Sequence, residues 1–507
     1  MIVWLLLLGL ITYFIVQRSV AGLTRTPVWI LWLVMMTPAF VWSAWTLVYG
    51  EKTPMPLALV LGPFVVCFQL YWFLVQRGRQ DSPSTPGNAA ESPKQPSTVN
   101  SQATGTQTEN QSAETRLLDK TEEANLQNCF PWSVYYLQKV EQRLQAVVCR
   151  GQLRSTPEVA YKTIRENIEA RFGDRFLVIF QEGFNSKPFF ALVPNPQAQT
   201  SGQASDQVPG QSKSKSDPLN RPLVALGLLV ATVFTTTVAG IELAGVSAEA
   251  LRANSNLWLT GLPYALSLVT ILGVHELGHY FTARFYKMRA ALPYFIPVPF
   301  FLGTFGAFTQ IRSPVPNRKA LFDLSISGPL AGLVVTLPLL MVGLALSQVV
   351  PLPAKATSLD FNAFNPSVSL LVMLLSKVVL GGALTLDSAI KLHPVAIAGC
   401  LGLIVTALNL MPVGQLDGGR IVHAMFGQRT GAAIGQVSRL LVLALSLVQP
   451  ELLIWAILLF FMPILNEPTL NDVSELDNQR DLWGLLVLGL LLVIILPAPR
   501  FLTQVLL

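Results

Sequence analysis

Residues Leu257–Phe285 read LWLTGLPYALSLVTILGVHELGHYFTARF, and within them His275-Glu276-Leu277-Gly278-His279 is an H-E-x-x-H pattern. The helical period places His275 and His279 one turn apart on one face. That spacing lets both imidazoles reach one Zn²⁺ at about 2.0–2.1 Å. Glu276 projects beside them, placed to take a proton from a zinc-bound water rather than to bind the metal. The chain contains only four histidines, the other two being His393 and His423, so the pattern is not a by-product of composition. The flanking residues are apolar for about 20 positions, enough to cross a bilayer. Ionisable groups inside such a span are costly and need a ligand or partner. The pattern therefore predicts a metal centre within the membrane, close to the end marked by Arg284, Lys287 and Arg289.

A catalytic zinc takes three protein ligands and keeps one open position. No further His or Glu follows at short range. The candidate lies in Asn409-Leu410-Met411-Pro412-Val413-Gly414-Gln415-Leu416-Asp417-Gly418-Gly419, where Pro412 breaks a helix and the Gly pair allows close backbone approach. From spacing alone Asp417 reads equally well as the third ligand and as a capping Asp before a helix.

The rest of the chain agrees with a membrane setting. It has 507 residues, of which 51% are hydrophobic and 13% charged, with 35 Lys and Arg against 29 Asp and Glu, a net charge of +6. Soluble domains carry about 25% charged residues. This composition excludes an ordinary cytosolic enzyme and a wholly disordered chain. The scattered basic residues exclude a nucleic-acid binder and fit Lys and Arg flanking membrane spans. The four Cys, at 67, 129, 149 and 400, show no CxxC spacing and supply neither a disulfide framework nor a thiolate zinc site.

About nine hydrophobic segments are expected: Ile2–Val16, Val28–Tyr49, Pro56–Val75, Pro222–Leu243, Leu257–Phe285, Leu324–Val349, Pro394–Leu410, the stretch Leu440–Leu465, and Leu482–Leu496. Pro450 either kinks the Leu440–Leu465 stretch or divides it in two. Val368–Leu386, which contains Lys377, reads as a half-buried or interfacial helix. The expected fold is an all-α polytopic membrane protein with a small α+β cytoplasmic domain. Residues 1–76 hold the N-terminal spans. Residues 77–125, rich in Ser, Thr, Gln, Asn and Pro, read as a disordered linker. Residues 126–195 read as the small soluble domain, with helices at Trp132–Arg150 and Pro157–Phe172 and strands at Phe176–Phe180 and Phe189–Val193. Residues 196–221 are a second linker, 222–465 the catalytic core, and 466–507 an acidic loop and a last span. The basic clusters place the small domain and the catalytic centre toward the cytoplasmic face. With no transit-peptide-like N-terminus, a bacterial inner membrane is favoured over a plastid.

H-E-x-x-H followed on a separate membrane segment by N-x-x-P-x-x-x-L-D-G resembles the site-2 protease family of intramembrane zinc metalloproteases. The resemblance covers roughly Pro222 to Leu465. It implies His275, His279 and Asp417 as ligands of one zinc ion, Glu276 as general base, and Asn409 as a polar group positioning substrate or the developing oxyanion. Gly303-Thr304-Phe305-Gly306-Ala307-Phe308-Thr309-Gln310-Ile311, then Asp323, Ser327-Gly328-Pro329-Leu330-Ala331-Gly332 and His393-Pro394, with the soluble domain before them, are similar to one branch of that family. This branch, of plastids and cyanobacteria, is named for ethylene-dependent gravitropism-deficient and yellow-green proteins. The resemblance implies regulated cleavage of transmembrane segments of other proteins, in a bacterial inner or thylakoid membrane. The lipid bilayer is the expected surroundings, and residues 126–195 are a candidate module for a protein partner. An edge strand around Gly303, Thr304, Phe305 and Gly306 pairing with an unwound substrate competes with a plain re-entrant packing hairpin. His423 reads as an interfacial helix residue, His393 as a cap at a span entry, and Ser327–Gly332 as close helix packing through small residues. Three other readings stay open: a metal-binding membrane protein or transporter, a catalytically silent scaffold, and a membrane metalloprotease whose third ligand is a Glu.

Overall fold

The computed structural model describes residues 28–50, 63, 70, 117–143, 146–183, 187–195, 222–299, 302–353, 360–448, 452–463 and 466–506. The expected span Ile2–Val16, all of Pro56–Val75 but residues 63 and 70, most of the first linker and the linker at 196–221 lie outside these residues, as does Pro450. Two compact units divide the chain, 1–105 and 106–507. In the first, Val28–Tyr49 forms helix α1.

The second unit contains a small sheet layer and a bundle of apolar helices. The sheet layer begins with α2 (Lys120–Asn128), whose Leu126 is fully buried, as is Leu118 just before it. Residues 117–125 therefore belong to this layer and not to a linker. Strands β1 (Tyr135–Arg143) and β2 (Ala146–Leu153) follow as a hairpin, then α3 (Pro157–Phe172), β3 (Phe176–Glu182) and β4 (Pro188–Pro194). The sheet is antiparallel, in the order β1-β2-β4-β3. The helix expected at Trp132–Arg150 is thus two strands. A register shift between Leu137 and Lys139 breaks the two-residue alternation of β1, so its apolar positions fall at helix-like intervals. Ile164 and Ile168 of α3 pack with Phe180, Phe190 and Leu192 in one apolar core.

In the bundle, α4 (Pro222–Leu243), α5 (Leu262–Phe285), α6 (Arg318–Ala345), α7 (Leu370–Leu380), α8 (Pro394–Leu410) and α9 (Asp417–Val448) follow in order. After them come α10 (Leu453–Phe461) and α11 (Asn478–Ile495). Among the described residues, five helices are long and apolar enough to cross a membrane; Leu370–Ala383 and Pro394–Leu410 are shorter apolar helices. Helix α9 begins well before Leu440 and is broken at Gly427, where φ is 81°. The short hairpin β5 (Tyr294–Pro297) and β6 (Thr304–Phe308) lies between α5 and α6.

One knot of polar side chains fixes which helix ends share a face. Arg480 at the start of α11 donates to both carboxylate oxygens of Asp323 at 2.7 Å, and to Asp477 at 2.8 Å. Tyr286, just past α5, donates its hydroxyl to Asp323 at 2.5 Å. Burial, together with the bond to Asp323, pushes the Tyr286 hydroxyl up to about 12, so it stays protonated and donating. The C-terminal end of α5 and the N-terminal ends of α6 and α11 therefore meet. The sheet layer sits at this end, tied to α6 by the Lys319–Glu158 ion pair at 2.8 Å. A stronger tie is a backbone ladder. Leu470 accepts from the Phe180 N–H at 2.7 Å, and Asp472 donates to the Phe180 carbonyl at 2.9 Å. The same segment donates from Leu470 to Val315 and from Asn471 to Pro316.

Candidate metal centre

The H-E-x-x-H residues lie in the last three turns of α5, beginning about 15 Å along the axis from the helix's C-terminal end. His275, Glu276 and His279 are all buried. Asp417, the first residue of α9, is buried beside them. Its Oδ2 stands 3.2 Å from His279 Nε2 and 3.8 Å from His275 Nε2. Ligands bonded to a tetrahedral zinc at about 2.0–2.1 Å stand about 3.3 Å apart. The three donor atoms, all within 4.8 Å of one another, therefore fit one zinc ion. Among the described residues no other His, Cys, Asp or Glu group is so arranged.

The protonation pattern of the donors suits the same ion. His279 Nδ1 donates to the Leu324 carbonyl at 2.8 Å, and a carbonyl only accepts, so the proton sits on Nδ1 and Nε2 is left to bind metal. Pro329 interrupts the α6 ladder at the neighbouring Ser325 carbonyl, in the same turn. Asn409 Nδ2 donates to His275 Nε2 at 3.2 Å, so this amide reaches the donor group itself.

Glycines make the crossing of α5 and α6 possible. A Cβ at Gly278 would lie 2.6 Å from the Ser327 carbonyl oxygen, and one at Gly328 would lie 2.1 Å from His279 Nε2. Gly332 faces His275 Nδ1, where a Cβ would come within 3.2 Å. The Ser327–Gly332 stretch is helix packing, as the small residues imply, and what it packs against is the pair of imidazoles. The sequence reading missed this pairing; glycines four residues apart in one span, with another inside H-E-x-x-H, were the available signal.

The remaining sequence-predicted residues are distributed as follows. Thr304 to Phe308 form β6, paired on one edge with β5 and with no partner strand on its other edge among the described residues. Gly303 is not in the strand. It turns with φ 81°, its carbonyl accepts from Thr235 at 2.7 Å, and a Cβ there would lie 2.5 Å from Thr236 Cα. Thr309, just past β6, donates its hydroxyl to the Glu276 carbonyl at 3.3 Å, setting the strand against the H-E-x-x-H turn. A cavity of about 510 Å³ opens here, lined by Thr309, Gln310, Gln415, Arg420 and Glu467. His393 caps α8, its Nδ1 accepting from Val395 N–H at 3.3 Å. His423 is not interfacial: it is 1% exposed and its Nε2 bonds Asp472 at 2.9 Å. Its partner lies in another region of the chain, and no local pattern marks the pair.

Comparison with known proteins agrees with this geometry. Residues 263–448 match the model of peptidase family M50, and residues 124–200 match that of the EGY3 middle domain. The chain is 31% identical over 376 residues to the probable zinc metalloprotease EGY2, chloroplastic, of Arabidopsis thaliana, which covers 73% of this chain and 63% of that protein. It is 38% identical over 223 residues to the probable zinc metalloprotease EGY1, chloroplastic, of Oryza sativa subsp. japonica, 44% of this chain and 38% of that one. It is 28% identical over 251 residues to the probable zinc metalloprotease EGY3, chloroplastic, of Oryza sativa subsp. indica, 46% and 42% of the two chains. The matches thus span between 38% and 63% of the length of these relatives. No solved structure matches. Two imidazoles and a carboxylate stand placed for one zinc ion between apolar helices, and it is over those same helices, residues 263–448, that the chain matches peptidase family M50.

Proposed function

We propose that the protein is an intramembrane zinc metalloendopeptidase that cleaves transmembrane segments of other proteins. The observation that carries this is the buried convergence of His275, His279 and Asp417 beside Glu276, within apolar helices. Bound zinc supplies Lewis acidity toward a peptide carbonyl and lowers the pKa of water at its open position towards about 7. His275, His279 and Asp417 hold the ion. Glu276 takes the proton of the attacking water. As the water oxygen bonds to the carbonyl carbon and the carbon–nitrogen bond breaks, Glu276 returns that proton to the leaving nitrogen. The new carboxyl group keeps the water oxygen. Asn409, whose amide already reaches His275 Nε2, donates a hydrogen bond toward the reacting carbonyl.

A helical substrate must unwind before its peptide bonds become accessible. The free edge of β6 provides backbone groups for the unwound strand, running beside Glu276 through Thr309. The strand that does this is Thr304–Phe308; Gly303 is committed to α4. The bundle completes about nine hydrophobic segments in all, with residues 1–76 anchoring the chain ahead of the sheet layer. That layer, expected at 126–195 and beginning in the structure at 117, is a partner-binding module on the face where Arg284, Lys287, Arg289 and Lys319 cluster. By the positive-inside rule this face is cytoplasmic or its equivalent. The relatives named chloroplastic favour a photosynthetic membrane, thylakoid or its bacterial counterpart, over other inner membranes.

Purified wild type and Glu276→Gln are compared for zinc per chain and cleavage of a model transmembrane substrate in detergent. Both should hold about one zinc, and only the wild type should cleave. Zinc retained with equal activity in both forms would sink the proteolytic role of Glu276. In a parallel Asp417→Ala measurement, zinc should be lost; full retention would mean the third ligand lies elsewhere.

A further inference from the structure

Asp417 sits at the start of a short piece of helix. The break at Gly427 separates Asp417–Phe426 from the long span that follows, so the span does not fix where Asp417 points. The orientation of this piece comes from its side contacts. Arg318, itself buried, donates through Nε to the Ala424 carbonyl and through Nη2 to the Met425 carbonyl, both at 2.7 Å, just before the break. Asn466 Nδ2 donates to the Gly419 carbonyl at 3.1 Å, two residues from Asp417. Asp472 Oδ1 accepts from His423 Nε2 at 2.9 Å and from Thr469 Oγ1 at 3.1 Å, in a setting where both His423 and Asp472 are buried.

Two of these three holds come from residues 466–472. That segment is itself fixed from both sides. It forms a middle strand between residues 315–316 and Phe180 of β3, and Leu470 and Val473 pack into the core of the sheet layer. Asp472 therefore reaches the Asp417 helix from backbone bonded on both sides, and Asn466 reaches it from four residues before that ladder. Donor groups around a metal are held in place by such outer partners, whose loss typically costs 10–100-fold in metal affinity.

We propose that residues 466–472 position Asp417 in the metal centre, with Asp472 on His423 and Asn466 on Gly419 as the positioning residues. This rests on the reading of Asp417 as the third zinc ligand. The test uses the full-length protein loaded with zinc in detergent and follows zinc loss to an excess of chelator. The cobalt-substituted form is followed in parallel by its visible absorption bands, which report ligand geometry. Asp472→Ala and Asn466→Ala should lose metal about 10–100 times faster than wild type and show altered cobalt bands. Asp472→Asn, which keeps an acceptor oxygen for His423, should behave close to wild type. Leu340→Ala, a cavity in the α6 core away from α9, controls for general destabilisation and should release zinc at the wild-type rate. If Asp472→Ala fails to fold, Asn466→Ala, only partly buried, carries the test. The proposal is overturned if both alanine variants release zinc like wild type, if Leu340→Ala releases it as fast as they do, or if Asp472→Asn is no better than Asp472→Ala. Retention of zinc by Asp417→Ala, in contrast, would remove the ligand assignment itself.

Discussion

A single methyl group at position 328 would occupy the place of His279. The ideal Cβ position is 2.1 Å from Nε2, the nitrogen left free to bind metal, and the imidazole cannot retreat without giving up its bond to the Leu324 carbonyl. Gly328→Ala is therefore expected to bind zinc at least about tenfold more weakly and to lose cleavage in proportion. The helices should still pack, because the clash falls on a side chain rather than on the backbone. Zinc per chain and helix content by circular dichroism, measured together, check this: normal zinc content would mean that the two helices slide apart more easily than the structure implies. At this scale His275, Glu276 and His279 were legible in the sequence because their chemistry needs only a four-residue spacing. Asp417 was legible as a ligand only through the family resemblance, since nothing local separates it from a helix cap. The glycines that admit the imidazoles were read as packing residues, which they are, without showing what they pack against.

Among the elements, the bidentate Arg480–Asp323 pair joins α6 to α11 and, through Tyr286, to the end of α5. Arg480→Ala leaves Asp323 with one partner of two and should cost roughly 1.5–3 kcal/mol, the range for hydrogen bonds to charged groups. The melting temperature in detergent should fall by several degrees, while zinc content stays at about one per chain. An unchanged melting point would place this pair among ion pairs that contribute nothing measurable. The spans were the most legible elements, because twenty apolar residues in a row have few alternatives. The hairpin β1–β2 was not. Its residues Gln138, Lys139, Glu141 and Gln142 are good helix formers, and the register shift hides the alternation that marks a strand. Its pairing with β4 decides the outcome, and that partner lies far along the chain.

For the whole molecule, what attaches the sheet layer to the bundle is decided by magnitude. The Lys319–Glu158 pair is well exposed, and such pairs are worth about 0–1 kcal/mol. The ladder through residues 470–472 adds buried backbone bonds and the packing of Leu470 and Val473. Lys319→Ala should leave the layer attached, whereas Leu470→Asp should release it. Hydrogen exchange at the Phe180 amide reads the difference directly: protection retained in Leu470→Asp would assign the attachment elsewhere. None of this was legible in the sequence, where residues 466–476 read as an acidic loop, because a strand of three residues has no periodicity to detect.

The ladder also imposes an order in time. Phe180 leaves the ribosome long before Leu470 and Asp472, and the helix that bears Asp417 is complete before Asn466 exists. A nascent chain can insert its earlier spans and fold its sheet while the Asp417 helix still lacks two of its three holds. Those holds form only once residues 466–472 have been made, so the centre stays unsteadied until the chain has been translated through Asp472.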